Sequence, residues 1–306
     1  MPPPQKDVFV VINPAAGRGR RAKTISRYHD LLRRYVGDHD VASTHSPGDE
    51  VTLTDQALER GYRSILAVGG DGTWGAVADR IIRSERDDVT LGLLPAGTGN
   101  DFGKSIGVRL ERVETVLRGI SEGRRRRIDV GRAGSRHFLN VVGFGFDIAV
   151  IDDADGFPLL KGDKLYQFCA LRQLFRFKGL PIRVTGDEPP SSPPEPTLHL
   201  MLTISNGNFF GGSFHIAPAA KLNDGKLDAV SILDAGPIGR ARLFSLVAKG
   251  RHGGHAKVIT RQSRRFCIEL DAPARYEVDG EVFDMESNTL VVESVPEALT
   301  VFVPAD

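Results

Sequence analysis

The sequence predicts an α/β N-terminal half built on a parallel sheet, followed by a mostly β C-terminal half. Three observations carry this. Short apolar runs alternate with helix-like segments from Val8 to about Ile120, the pattern of strands covered on both faces. Two glycine-rich turns, Gly69-Gly70-Asp71-Gly72-Thr73 and Pro95-Ala96-Gly97-Thr98-Gly99-Asn100-Asp101, each follow such a run. After Arg127 the alternation stops and short strand-like segments dominate.

Val8 to Ile12 is a continuous apolar run and reads as the first buried strand. Asn13-Pro14-Ala15-Ala16-Gly17 breaks it, and Arg20 to Tyr35 reads as a helix with Ile25, Tyr28, Leu31 and Leu32 on one side. A weaker strand (Asp40 to Thr44) and a helix (Glu50 to Arg60) follow. Strands at Ser64 to Val68 and Thr90 to Leu94 lead into the glycine turns, with helices near Trp74 to Ser84 and Leu110 to Ile120. In the second half, Asp129 to Ala133 and His137 to Gly143 form a hairpin around Gly134-Ser135. Pro181 to Thr185 pairs with Thr197 to Ser205 across a Pro-rich loop from Gly186 to Pro196. Leu227 to Leu233, Arg265 to Leu270, Arg275 to Val278, Thr289 to Glu293 and Leu299 to Val303 add strands. Helices interrupt near Asp163 to Arg176 and Ile238 to Ala248.

At 306 residues the chain is too long for one typical core and suits two domains, divided near Ile128. A net charge of +1 gives no global field for nucleic acid, so no nucleic-acid partner is expected. Cys169 and Cys267 are far apart and make no ligand pattern, which suits free thiols in a reducing, cytoplasmic setting. The start, Met1 to Asp7, lacks the charged-then-apolar layout of a signal peptide. No stretch reaches the roughly 18 apolar residues of a membrane span, so any membrane contact is expected to be peripheral.

The glycine turns carry the chemistry. Glycines let backbone N–H groups approach a phosphate, and a following helix N-terminus adds partial positive charge. Asp71 and Asp101 bring carboxylates to the same sheet edge, where a carboxylate beside phosphates implies Mg²⁺. Two such turns at consecutive strand ends predict a nucleotide site at the carboxyl edge of the sheet.

Asn13-Pro14-Ala15-Ala16-Gly17, Gly-Gly-Asp-Gly-Thr and Gly-Thr-Gly-Asn-Asp together resemble the diacylglycerol kinase catalytic-domain family of lipid kinases, which is related to sphingosine and ceramide kinases. Gly143-Phe144-Gly145-Phe146-Asp147, Asn206 to Gly212, the Ala217 to Asp228 segment and Asp279-Gly280-Glu281 agree in order, from about Val8 to Val303. The resemblance implies a Rossmann-like nucleotide domain of NAD-kinase or diacylglycerol-kinase type over residues 1–128. It also implies a β sandwich-like domain over 129–289, and a C-terminal segment, about 290–306, that returns to the first domain. The active site would lie between the two.

The resemblance also implies roles. Asp71 would hold a catalytic Mg²⁺, directly or through water, with ATP as phosphate donor. Gly70, Gly72, Thr73 and Thr98 would donate to phosphate. Asn13, Pro14, Ala15, Ala16 and Gly17 match the first nucleotide loop, after which Arg18 or Arg20 either reaches phosphate or is a solvated helix start. Thr44 falls where the family meets nucleotide after its second strand. Asp101 would support Asp71, or cap the next helix; Asp129 would join that network, or simply start a strand. Glu281 would be the general base for a lipid hydroxyl, although as bare residues Asp279-Gly280-Glu281 reads as a β-turn. Asp224, with backbone oxygens of Lys221 and Lys226, would hold a second, structural Mg²⁺, or Asn223-Asp224-Gly225 is a plain turn.

Arg124 to Arg127 reads as a solvated face with anionic-membrane contact as the alternative. His215, His252 and His255 lack metal spacing, and Trp74 is expected in the core. The chain departs from the family in having Gly75 and Ala76 where many members have Asn-Glu, and an Ala before Gly17 where Ser is common, which bears on nucleotide affinity. The expected activity is phosphorylation of a diacylglycerol-like lipid. The alternatives are a soluble-metabolite kinase of NAD-kinase type and a nucleotide-binding module without catalysis.

Overall fold

A computed structural model describes every residue except 1–6, 20–21, 157–162, 188–194, 213 and 306. The parallel part comes first: β1 (Val8–Ile12), α1 (Ala22–Tyr35), β2 (Asp40–Ser43), α2 (Asp49–Glu59), β3 (Ser64–Gly69), α3 (Asp71–Arg83), β4 (Thr90–Pro95), α4 (Asp101–Ser105) and α5 (Val113–Ser121). The strands pair in parallel in the order β2-β1-β3-β4. β3 and β4 are buried along their whole length, as their unbroken apolar sequences require. α1 packs with α5, and α2 with α3. Trp74 is fully buried and donates its indole N–H to the Ala67 carbonyl at 3.0 Å.

The second half contains β5 (Arg125–Ala133), β6 (Arg136–Phe138), β7 (Val141–Gly145), α6 (Phe146–Asp155), α7 (Asp163–Arg176), β8 (Leu180–Thr185), β9 (Thr197–Ser205) and β10 (Leu227–Leu233). It continues with α8 (Pro237–Ala248), β11 (Val258–Ser263), β12 (Arg265–Leu270), β13 (Arg275–Val278), β14 (Glu281–Asp284) and β15 (Thr289–Phe302). Hydrogen bonding runs along the path β14-β13-β7-β9-β8-β12-β15-β4-β3-β1-β2. The junction is β15. It lies antiparallel to β12 and β5, and then parallel to β4, with Thr300 opposite Thr90 and Val301 opposite Leu91.

Sequence pattern predicts two strands where β15 is one. A register shift between Val295 and Leu299 absorbs Pro296 and Glu297, the latter at φ 49°, and a bulge is where a strand tolerates a residue without an N–H donor. The predicted strand from His137 to Gly143 is instead two, because the N–H groups of Leu139 and Asn140 leave the ladder for the Asp279 carboxylate. α6, β11 and β14 have no counterpart in the sequence reading.

Three apolar cores result. One underlies the parallel sheet, one fills the β-rich half around Phe144, Phe266 and Tyr276, and one lies between that half and α6 to α8, around Phe146, Cys169, Leu243 and Val247. Cys169 and Cys267 are both free thiols.

Candidate active site

The carboxyl ends of β1, β3 and β4 open into a cavity of about 560 Å³, lined by residues 13–17, 44–47, 70–73, 97–99 and 279–281 together with Glu50. Asn13, Pro14, Ala15, Ala16, Gly17, Thr44, Gly70, Asp71, Gly72, Thr73, Thr98 and Glu281 are therefore all on one cavity wall or another. Arg20 and the side chain of Arg18 lie outside the described residues.

The two glycine turns touch. A Cβ on Gly97 would stand 2.5 Å from the Gly70 Cα and 2.8 Å from Asn100 Oδ1, closer than real contacts allow. Only glycine lets these backbones meet so closely. The Asn13 side chain holds the first loop: its amide donates to Thr73 Oγ1 at 3.0 Å, and its Oδ1 accepts the Ala15 N–H at 3.0 Å. Asn13 thus ties β1 to the first turn of α3.

Asp71 opens α3, and its Oδ1 accepts the Phe102 N–H of α4 at 3.1 Å. Burial pushes its carboxyl above the ordinary aspartate range, and the Asp101 charge adds to that. Asp101 is not the N-cap of α4; Asn100 is, at φ 50°. Asp101 instead accepts Lys104 Nζ at 2.7 Å and the Gly212 N–H at 2.8 Å, binding the 211–212 loop to the cleft. Asp129 does not meet Asp71 or Asp101 through any hydrogen bond. Both of its oxygens are engaged elsewhere, with the Gly225 N–H at 2.7 Å and the Glu297 N–H at 2.9 Å, so it locks the 221–228 turn to the bulge of β15.

Glu281 enters from the β-rich half. Val278 pairs with Glu281, so Asp279 and Gly280 form a two-residue turn, with φ 48° and 94°, the left-handed pair that suits a tight hairpin. Asp279 is buried and accepts three N–H groups, from Leu139 (2.7 Å), Asn140 (3.0 Å) and Val141 (2.9 Å). Burial pushes its carboxyl up to about 7 against the pull of those donors. The turn is thus fixed, and it presents Glu281 beside Gly72, whose Cβ position lies 3.3 Å from Glu281 Oε1. Burial raises the Glu281 carboxyl, Glu50 raises it further, and Arg136 opposes. Beneath the hairpin Asp147 faces Glu277; burial raises both, Glu277 well above the ordinary range, with the Asp147 charge adding to it.

Glu281 also walls a second cavity of about 360 Å³, on the far side of Gly72, which takes in Gly75, Ala76, Arg136, His137 and Phe283. Gly75 and Ala76 are absent from the lining of the first cavity. The departure from the family pattern therefore falls on the second cavity, next to Asp279, whose Oδ2 is 3.4 Å from a Cβ on Gly75.

Asp224 is remote from this cleft. Its Oδ1 accepts the Lys226 N–H at 3.1 Å, and Gln262 Nε2 bridges its Oδ2 (3.2 Å) and Asp228 Oδ2 (3.3 Å). Burial raises the Asp228 carboxyl, as does the nearby Asp224 charge. Among the described residues no three His, Cys, Asp or Glu side chains cluster as a metal cage. The arginine run is tied down within the chain: Arg124 to Glu122, Arg126 to Asn223, Arg127 to the Glu297 carbonyl, and Arg125 over the Phe302 ring. His215 stacks on Phe209, and His252 is buried against the Ile216 carbonyl.

Sequence reasoning missed Glu50 and residues 45–47 as cleft residues, and gave Gly97, Gly99 and Asp279, quoted within their motifs, no role of their own. Asp279 had a signal, since Asp-Gly between strand-like segments marks a tight hairpin. Glu50 had none, because its approach to Glu281 depends on how the two halves meet.

The fold thus joins a parallel α/β half carrying two touching glycine turns to a β-rich half that brings Glu281 to the same cleft. The diacylglycerol kinase catalytic domain matches residues 7–133, and the YegS C-terminal NAD kinase beta sandwich-like domain matches residues 140–303. A protein of Pseudomonas savastanoi pv. phaseolicola described as "Probable lipid kinase YegS-like" is 32% identical over 281 residues, covering 90% of this chain and 87% of that protein. A diacylglycerol kinase of Staphylococcus saprophyticus is 25% identical over 278 residues, covering 90% and 89%. The crystal structure of a diacylglycerol kinase from Bacillus anthracis shares the fold, with a TM-score of 0.73 at 19% identity over 98% of each chain. The chain belongs to the diacylglycerol kinase catalytic-domain family.

Proposed function

We propose that this protein is an ATP- and Mg²⁺-dependent lipid kinase that transfers the γ-phosphate to a lipid hydroxyl. The observation that supports it best is the place of Glu281, in the wall between the glycine-turn cavity and the second cavity. A base in that wall can reach a hydroxyl on one side and a phosphate on the other. The domains are read as 1–128 with about 290–306, and 129–289.

Phosphoryl transfer needs positioning and charge neutralisation more than covalent chemistry from the protein. Gly70, Gly72, Thr73 and Thr98 offer backbone and hydroxyl donors to the phosphates, while the loop from Asn13 to Gly17 and Thr44 frame the nucleotide. The buried Asp71 carboxylate, its affinity for a proton raised by burial and by Asp101, suits a hard cation. Mg²⁺ is commonly held by one or two carboxylates together with substrate phosphates, so Asp71 would hold it; bound there it neutralises phosphate charge. Asp101 keeps the 211–212 loop against the cleft. Glu281, in its ionised form, accepts the proton of the attacking hydroxyl. A second, structural Mg²⁺ would be held at Asp224, with Lys221 and Lys226 backbone oxygens, where Asp224 and Asp228 bring two carboxylates to one amide. The lipid substrate places the enzyme at the membrane surface as a peripheral protein of the cytoplasm.

The substitution Glu281→Gln tests this reading. It is expected to lower turnover by about 10²- to 10⁴-fold while leaving ATP affinity, measured by calorimetry, within about twofold. Undiminished turnover would refute the assignment of the base.

A further inference from the structure

α7 is apolar on two sides. Cys169 is fully buried, and Leu165, Leu174 and Phe177 at the helix and its end pack on the third core. On the outer side Phe168, Leu171 and Phe175 are 45, 59 and 68% exposed, at the i, i+3, i+7 spacing of one helix face. Ile238, in the first turn of α8, is 89% exposed, and Leu198 on β9 is 44% exposed. Phe175, Leu198, Pro237 and Lys257 border one shallow groove; Phe168 and Leu171 continue the helix face of Phe175, and Ile238 follows Pro237 in sequence. An exposed apolar patch of this kind marks an interaction surface.

The charge around the patch identifies what covers it. No acidic residue occurs from Lys164 to Gly186 or from Ala235 to Ile268. Arg176, Lys178, Arg242, Lys249 and Lys257 are exposed in those stretches, and Arg242 and Lys249 share the helix face of Ile238, at i+4 and i+11. The acidic residue that lines the groove, Asp234, is paired with buried Arg240 at 2.8 Å. The same guanidinium also donates to the Leu174 and Phe177 carbonyls, at 2.6 and 2.7 Å, which locks α8 to the end of α7. The surface combines apolar anchors with exposed cations on α7, on α8 and at Lys257, while Glu195 is the exposed acid next to the start of β9. A second copy of the chain would bring like charge against like.

We infer that this face, formed by α7, the start of α8 and the start of β9, docks on an anionic bilayer, with Phe168, Leu171, Phe175 and Ile238 entering the interface and the cations contacting headgroups. The choice of a bilayer rests on the lipid-kinase reading. The Arg124 to Arg127 run, each member engaged within the chain, is not the docking element.

The full chain is tested by co-sedimentation with phosphatidylglycerol vesicles and with phosphatidylcholine vesicles, without ATP. Wild type is expected to bind the anionic vesicles more tightly, with affinity falling as salt rises. Leu171→Gln with Phe175→Gln lowers that affinity by about tenfold or more, and Arg242→Glu with Lys257→Glu removes the salt dependence. Both pairs keep the wild-type melting temperature and, against a dispersed short-chain lipid, the wild-type activity. Vesicle binding unchanged in both pairs would overturn the inference. So would a loss confined to Arg125→Glu with Arg126→Glu, or a dimer seen by sedimentation velocity that the Leu171/Phe175 pair abolishes while vesicle binding persists. Because the binding assay needs no turnover, vesicle binding without lipid phosphorylation would count against the kinase reading alone.

Discussion

Replacing Asp279 by Ala probes how the hairpin that carries Glu281 is held. The carboxylate accepts three buried N–H groups, from Leu139, Asn140 and Val141. Each orphaned buried donor costs about 1–3 kcal/mol, and Ala at φ 48° adds about 1 kcal/mol of backbone strain. Together, with the carboxyl protonated, these come to about 4–10 kcal/mol. At about 2–4 °C per kcal/mol for a large domain, melting falls by about 10 °C or more. The size of the loss depends on pH. Folding raises this carboxyl from 3.8 to about 7, so the folded state holds the proton more tightly than the unfolded chain. The associated stability is fully present below pH 3.8 and is lost as pH rises through about 7, a span worth about 4 kcal/mol. The gap between wild type and Asp279→Ala therefore has its full size below pH 3.8, and it is larger at pH 5 than at pH 8. The assay is thermal melting of both proteins across that range. Melting temperatures within about 1 °C of each other at pH 5, or a gap that widens with pH, would refute the reasoning.

Two further predictions follow from named contacts. Gly119→Ala, inside α5, would ordinarily stabilise a helix by about 1 kcal/mol. Here the new Cβ would stand 2.0 Å from the Val303 carbonyl oxygen, so the variant is expected to melt below wild type, and a rise in melting temperature would show that the C-terminal segment does not pack there. With Glu281 as the proposed base, the pH profile of kcat/KM should show an acid limb with its midpoint above 4.5, the ordinary glutamate value, because burial and then Glu50 resist loss of its proton. A midpoint below 4.5 would contradict the environment described for Glu281.

Much of the architecture is legible because periodicity reports burial. The strands from Val8, Ser64 and Thr90 are continuous apolar runs, and α7 begins and ends at Asp163 and Arg176, as the pattern predicts. The glycine turns are legible because each glycine answers a local need. What fails is whatever depends on distant partners. The break at Leu139 and Asn140 exists because Asp279, far along the chain, takes their N–H groups. β15 runs through Pro296 and Glu297 because β5 and Asp129 hold both sides of the bulge. α6 carries an apolar run followed by acids, Phe146 to Asp155, without a clean amphipathic stripe. The resemblance puts Asp129 in the network of Asp71 and Asp101, or else at a plain strand start, whereas in the fold its two oxygens accept the Gly225 and Glu297 N–H groups, contacts with residues far along the chain. Gly75 and Ala76, which bear on nucleotide affinity in the sequence, line the second cavity rather than the first.

The central claim is tested most directly by incubating the protein with γ-labelled ATP, Mg²⁺ and a panel of lipids in mixed micelles, with NAD as a soluble control. The account predicts label in a hydroxyl-bearing lipid of the diacylglycerol type, lost on chelation of the metal. Label in NAD alone, or transfer that survives chelation, would contradict it.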